Sequence, residues 1–320
     1  MPRAEHSLPD VALTRRSLDR RSDLREDPAL LTTLLADPAT RVFRLRGDGA
    51  EVVVGTGGAD GSDGTTRVVL ATPEPADADH LVVYLGEAGG VHHLGVAEDL
   101  PEGSAPPEGH RTLRQVGATL DDVGASVFAT TLALANWHRA HGFCPRCGSP
   151  TEPVLAGWVR RCRADGSEHY PRTDVAVIMA VVDDDGRLLM ARGRGFTTKG
   201  MSVLAGFVEP GETLAAAVAR EVHEEVGVEV EDVTYLGDQP WPFPSGLMVG
   251  FTARARGTEL RLQDSEIAEA RWWSREELMA AVADGSLVVP GGISIARRIV
   301  EHWFGGPVAA PEVVDFRRRS

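Results

Sequence analysis

The stretch from Gly206 to Val228, GFVEPGETLAAAVAREVHEEVGV, restricts this chain more than any other. Pro210 and Gly211 predict a turn. Glu212 to Val226 then reads as a helix, with Leu214, Val218, Val222 and Val226 four residues apart on its buried side. Glu221, Glu224 and Glu225 stand at i, i+3 and i+4, so three carboxylates project from one face, read here as solvent-facing, and repel one another. A hard divalent cation, Mg²⁺ or Mn²⁺, held by carboxylate oxygen relieves that repulsion. Arg220 is placed to pair with one carboxylate and orient it. A short acidic run alone is most simply a solvated helix face. The fixed spacing from Gly206 to Glu212, to Arg220-Glu221 and on to Gly227 favours the metal reading.

At 320 residues the chain suits two or three domains. Its net charge of −14 opposes non-specific binding to a polyanion, so a nucleic-acid substrate has to be gripped locally. The first residues are charged almost throughout and lack the apolar core of a signal peptide, which predicts a cytoplasmic protein. The longest uncharged apolar stretches, near Val123 to Asn136 and Val175 to Val182, are too short to span a membrane.

In the first third, Arg41 to Arg46, Glu51 to Val54, Arg67 to Ala71 and His80 to Leu85 read as strands. Gly55 to Thr66, GTGGADGSDGTT, reads as a solvated hairpin tip. A long helix is expected from about Asp121 to His141. His138 and His141 beside Trp137 read as a packed, hydrogen-bonded helix end rather than as ligands.

Cys144 and Cys147, in C-P-R-C-G, form a knuckle whose thiolates converge on a tetrahedral ion, and Cys162 follows after a hairpin-like segment. Asp165 stands where a fourth cysteine belongs. Three readings remain open: a Cys₃Asp zinc site, His169 as the fourth ligand, or a ribbon held by packing with reduced thiols. Val175 to Val182 and Arg187 to Ala191 then predict two strands joined by an Asp-Gly turn. Downstream, DQPWPFPSGLM, Asp238 to Met248, combines three prolines with the rigid rings of Trp241 and Phe243.

The full pattern G-x5-E-x7-R-E-U-x-E-E-x-G-U, with U a bulky aliphatic residue, resembles the Nudix hydrolases. The cysteine ribbon before it and Q-P-W-P-F-P after it resemble the NudC-type NADH pyrophosphatases within that superfamily. The likeness is strong from about Leu132 to Trp303 and general over the first third. It implies an α/β/α Nudix sandwich, α+β in class, preceded by a zinc ribbon and a β-rich N-terminal domain. The expected domains are 1–138, 139–172 and 173–310, with a tail over 311–320. Three departures stand out: Asp238 replaces the first Ser of the family motif, Gly246 stands at its last Ser beside Ser245, and Asp165 replaces a ribbon Cys.

By that resemblance Glu221, Glu225 and the Ala205 carbonyl bind catalytic Mg²⁺ or Mn²⁺, joined by Glu266 or by Glu269. Glu224 acts through water or as a base, and Zn²⁺ is structural. Gln239, Pro240, Trp241, Pro242, Phe243, Pro244, Ser245 and Gly246 line a nucleotide pocket. Tyr170 and Phe207 stack on a base, Tyr170 coming from the opposite subunit of a homodimer, and the Ala296 backbone closes the site. Arg297 and Arg298 either meet phosphate or cap the last helix. The implied reaction cleaves NAD(H) to NMN(H) and AMP, and NAD-capped RNA to NMN and a 5′-monophosphate end. Arg160, Arg161, Arg163 and Arg172 are candidates to guide RNA. Two rival classes remain, a hydrolase of ADP-ribose or another nucleoside diphosphate derivative, and a non-catalytic zinc-ribbon adaptor.

Overall fold

The computed structural model describes residues 8–14, 17–54, 65–101, 104, 107–195, 199–263 and 265–310. Most of the Gly-rich stretch expected as a hairpin tip, and the tail from 311, lie outside the described residues. Two compact units emerge, one containing 174–240 and 246–310 with residues up to 12, the other containing 13–173 with 241–245.

In the second of these, strands β1 (Arg41–Arg46), β2 (Gly49–Val54), β3 (Thr66–Val68), β4 (Leu70–Ala71), β5 (Leu81–Ala88), β6 (Val91–Glu98) and β7 (His110–Thr112) form one sheet ordered β3-β2-β1-β6-β5, with β4 on β1 and β7 on β2. Helices α1 (Leu30–Ala36), α2 (Leu113–Val116) and α3 (Asp122–Ala140) complete it. Strand alternation assigns the faces: Val42, Tyr84, Leu94 and Val96 pack with Leu30 and Leu34 of α1, while Phe43 meets Phe128 of α3 at 5.1 Å between rings. Gly95 lets α3 come close, since a Cβ there would lie 2.3 Å from the Thr131 hydroxyl. The predicted helix and strands are present, except that the segment Arg67 to Ala71 is divided between β3 and β4, and α1, α2, β6 and β7 are additions to them.

The same unit carries a three-stranded ribbon of β8 (Thr151–Val154), β9 (Val159–Cys162) and β10 (Glu168–His169), ordered β10-β9-β8. His138 is buried, its Nε2 donating to Gly157 O at 2.8 Å and its Nδ1 accepting from Arg160 at 2.8 Å. Desolvation, with the neighbouring Arg160 adding to it, pulls this imidazole down to about 4, so it stays neutral. Both ring nitrogens are used, as the packed reading of this helix end expected. His141 bonds back to Trp137 O at 3.0 Å.

The other unit is built on a six-stranded sheet of β11 (Asp174–Val182), β12 (Leu188–Gly193), β13 (Leu204–Phe207), β14 (Val230–Trp241), β15 (Gly246–Ala255) and β16 (Ile267–Trp273). Its order is β14-β15-β11-β12-β16, with β13 antiparallel to β11 and β15 parallel to it. Three helices, α4 (Leu214–Val226), α5 (Arg275–Ala283) and α6 (Ile295–Phe304), cover it. Val177, Met179, Val181 and Leu189 pack with Val218 and Val222 of α4, whereas Ile178, Ala180, Leu188 and Met190 pack with Leu278 of α5 and Ile299 of α6. Alternate residues thus serve opposite faces, which makes the expected α/β/α sandwich and explains why β11 is apolar throughout.

Candidate active site and zinc ribbon

Helix α4 begins where Thr213 accepts from the Ala216 N–H at 3.2 Å, and ends at Gly227, whose φ of 72° closes the last turn through its N–H to His223 O. Two carbonyls left open at that end are met from outside, Val226 O by the Arg261 N–H at 2.8 Å and Glu225 O by the Gln263 N–H at 3.0 Å. This pairing draws residues 261–263 along the helix end. The Glu266 N–H then bonds to Gln263 O, and Glu266 O accepts from the Arg194 N–H at 2.9 Å. Glu221 and Glu225 both feel the charge of Glu266. Glu269 points its charge elsewhere, into an ion pair with Arg192 at 3.1 Å.

Arg220 is the local cation. It holds Glu212 through two bonds of 2.8 and 2.9 Å, Glu221 and Glu224 at 2.9 Å each, and the Phe207 carbonyl at 2.9 Å. Glu212 also accepts from the Glu209 N–H at 3.0 Å, which ties the turn to the helix start. The expectation that Arg220 orients one carboxylate understates its role, because it organises three. Gly206 lies under Glu221: a Cβ there would sit 1.9 Å from the Glu221 carboxyl carbon. The glycine of the box is required for room.

Glu225 is not on the solvent side as read from the sequence. It is 9% exposed and shares the stripe of Val218, seven residues earlier. Its Oε2 is buried without a hydrogen-bond partner among the described residues. Desolvation first, then the charges of Glu221 and Glu266, push its carboxyl up to about 8. Glu221 is raised for the same leading reason, with Arg220 pulling the other way. Buried carboxylate oxygen with one shared guanidinium nearby and an orphaned atom fits Mg²⁺ or Mn²⁺, whose charge supplies what the protein lacks.

The ribbon presents a second donor set. Ligand atoms of Cys144, Cys147, Cys162 and Asp165 all lie within 4.8 Å of one another. Cys147 Sγ is 3.5 Å from Cys162 Sγ, and Cys144 Sγ is 4.0 Å from Asp165 Oδ2, close to the edge of about 3.8 Å expected for tetrahedral thiolate zinc. Two equivalent turns build it. Gly148 donates to Cys144 O at 2.9 Å and Gly166 to Cys162 O at 3.1 Å, with φ of 73° and 70°. Asp165 therefore occupies in C-R-A-D-G the place of Cys147 in C-P-R-C-G. The hydroxyl and then the N–H of Ser167 lower its carboxyl to about 2, so it is ionised at neutral pH. His169, the competing fourth ligand, stays outside the cluster and meets the Ser167 hydroxyl at 3.2 Å. The three cysteines are unpaired.

Other expected site residues divide. Phe207 and Tyr170 are 66% and 65% exposed, and the Tyr170 hydroxyl donates to Glu168 at 3.0 Å. Trp241 and Phe243 are half-buried and meet edge-on at 4.9 Å, with Pro242 buried and Pro244 exposed. Gln239 does not line a pocket. It is fully buried, donating to Ala12 O and Ile293 O and accepting from the Ile295 N–H, each at 2.7 Å. Ala296 is in the core, and its N–H is taken by the Ser294 hydroxyl at 3.2 Å. Arg297 is also buried, bonded to Glu301, Pro290 O and Val308 O, and Arg298 joins it on Glu301, so both lie near the start of α6 and neither bonds a carbonyl at its C-terminal end. Of the arginines proposed to guide RNA, Arg160 is buried on Thr151 and His138, while Arg161 and Arg163 pair with Glu168 and Glu152.

A NUDIX domain model matches residues 172–288, and a NADH pyrophosphatase zinc ribbon domain model matches 139–170. The chain is 41% identical over 248 residues to proteins of Mycobacterium bovis and Mycobacterium tuberculosis named NAD-capped RNA hydrolase NudC, covering 74% of this chain and 78% of theirs. It is 39% identical over 196 residues to the Homo sapiens protein named NAD-capped RNA hydrolase NUDT12, covering 58% of this chain and 42% of that one. With a box helix that buries one of its carboxylates, and a ribbon that brings three thiols and a carboxylate together, the chain belongs to the NudC-type family of Nudix hydrolases.

Proposed function

We propose that this chain hydrolyses the pyrophosphate bond of NAD(H), giving NMN(H) and AMP, and makes the same cut on NAD-capped RNA, releasing NMN and a 5′-monophosphate end. The observation that carries the reading is the buried Glu225 carboxylate, whose Oε2 has no hydrogen-bond partner among the described residues and which feels the charges of Glu221 and Glu266, in a chain 41% identical to proteins named NAD-capped RNA hydrolases. Glu221, Glu225 and Glu266, with the Ala205 carbonyl, would hold the Mg²⁺ or Mn²⁺. When bound, these cations neutralise phosphate oxygens and make water more acidic.

The protein's own groups set the geometry. Arg220 locks Glu221 over Gly206, and the same guanidinium engages Oε2 of Glu224, leaving Glu224 Oε1 to take the proton of the attacking water. The exposed ring of Phe207 follows directly on the box glycine and offers a base-stacking surface. Tyr170 serves likewise, supplied by the opposite subunit of a homodimer. Trp241, Phe243 and Ser245 form the nucleotide-recognising segment. None of the described helices is long and apolar enough to cross a membrane. The domain limits 1–138, 139–172, 173–310 and 311–320 are part of this proposal.

Incubating the protein in parallel with NADH, NAD, ADP-ribose and NAD-capped RNA, with product analysis, tests it. NMN(H) and AMP from the dinucleotides, faster than ADP-ribose turnover, is the expected result. Preference for ADP-ribose would favour the rival hydrolase class, and binding without turnover would favour the adaptor.

A further inference from the structure

The assigned reaction leaves the N-terminal unit without a task, and the motif loop points to one. Residues Trp241–Ser245 count with that unit, although the sheet of β14 and β15 on either side belongs to the other. Proline at 240, 242 and 244 removes three N–H groups, so the loop has few donors with which to hold its own shape, and its carbonyls remain as handles. Asn136 of α3 uses two of them, donating its amide group to Pro242 O at 3.1 Å and to Pro244 O at 3.0 Å. Its Oδ1 accepts from Arg139 at 2.8 Å, and Arg139 is itself anchored on Asp99 at 2.6 Å and on Gly47 O at 2.9 Å. That bond fixes which way the amide faces and leaves its NH₂ for the loop. Arg114 of α2 makes a separate hold. Its guanidinium lies 3.8 Å from the centre of the Phe243 ring and 5.3 Å from that of Trp241.

We infer that Asn136 and Arg114 are positioning residues for the substrate segment, setting the spacing and tilt of Trp241 and Phe243 without touching substrate or metal. The inference rests on the assignment of NAD(H) as substrate and gives the N-terminal unit a part in substrate recognition. Two elements from that unit hold backbone and ring independently, adding to the loop's own bond from the Phe243 N–H to Trp241 O at 2.7 Å. Loss of either hold disorders the recognising rings while the acidic cluster of α4 keeps its own network around Arg220.

Two substitutions separate positioning from general support. Asn136→Asp keeps the side-chain size and the contact with Arg139 but replaces both donors by a carboxylate oxygen facing two carbonyls. Arg114→Gln removes the guanidinium that lies over the two rings. Steady-state kinetics on NADH across a Mg²⁺ series, with thermal melting of each protein, give the readout. In each variant KM for NADH is expected to rise about tenfold, the consequence of losing one or two interactions of ordinary strength. The kcat, the Mg²⁺ concentration for half-maximal rate and the melting temperature stay near wild type. Unchanged KM in both variants, or a fall in kcat that tracks lowered melting, overturns the inference while the substrate assignment stands. Wild-type protein that leaves NADH uncut removes the assignment itself, and the inference with it.

Discussion

Replacing Glu225 by Gln should make the metal-free protein more stable at pH 8 while removing its turnover. Burial and the charges of Glu221 and Glu266 raise this carboxyl from 4.5 to about 8. The folded protein thus holds the proton more tightly than the unfolded chain, so stability falls as pH rises from 4.5 toward about 8 and changes no further above it. At ~1.4 kcal/mol per pH unit the full effect is roughly 5 kcal/mol, of which about 3 kcal/mol is already expressed at pH 7. A neutral amide of the same shape escapes this penalty. Urea denaturation of both proteins, with Mg²⁺ and Mn²⁺ removed but zinc left in the ribbon, measures it at pH 8 and near pH 4.5. The variant should be more stable by several kcal/mol at pH 8 and about equal at the lower pH. Added Mg²⁺ should stabilise the wild type and leave the variant nearly unchanged. A variant no more stable than wild type at pH 8, or a difference that does not shrink on acidification, would refute the argument that this site is strained for want of a cation.

Other substitutions test other parts of the account. Gly206→Ala puts a methyl group 1.9 Å from the Glu221 carboxyl carbon, so NADH turnover should fall about 10²-fold, as for a misplacement near 1 Å, with circular dichroism unchanged. Cys147→Ser or Asp165→Ala should reduce bound zinc, measured by elemental analysis, and lower the melting temperature, whereas Asp165→Cys should retain the metal. Gln239→Leu strands two buried carbonyls and one N–H, and should cost about 3 kcal/mol of stability in denaturant titration without changing the Mg²⁺ requirement.

What could be read in the sequence follows from how local its cause is. The box helix, its glycine end and the convergence of its carboxylates depend on spacing within one helix, and α4 reproduces them. Even the burial of Glu225 was legible, since seven residues separate it from Val218, although the acidic cluster invited a solvent-facing reading. The clustering of Cys144, Cys147, Cys162 and Asp165 was legible once C-P-R-C-G and C-R-A-D-G are seen as one turn written twice, a pattern in which His169 has no place. Gln239 was misread because its partners, Ala12, Ile293 and Ile295, are remote in sequence and invisible to any motif. Arg160 was misread for the same reason, a cation on a ribbon strand whose partners Thr151 and His138 take it out of solvent. Strand β14 continues through Trp241 and β15 resumes at Gly246, because sheet pairing extends past prolines at the positions where no N–H is needed.

The central claim is that the acidic face of α4 and Glu266 hold cations against a diphosphate bridge. Phosphorus NMR of NADH incubated with the protein, with and without added Mg²⁺, tests it most directly. The account predicts that the diphosphate resonances give way to the two monophosphate resonances of NMNH and AMP only when the cation is present. Diphosphate resonances that persist with Mg²⁺ and with Mn²⁺, or that vanish equally fast without either, would contradict it.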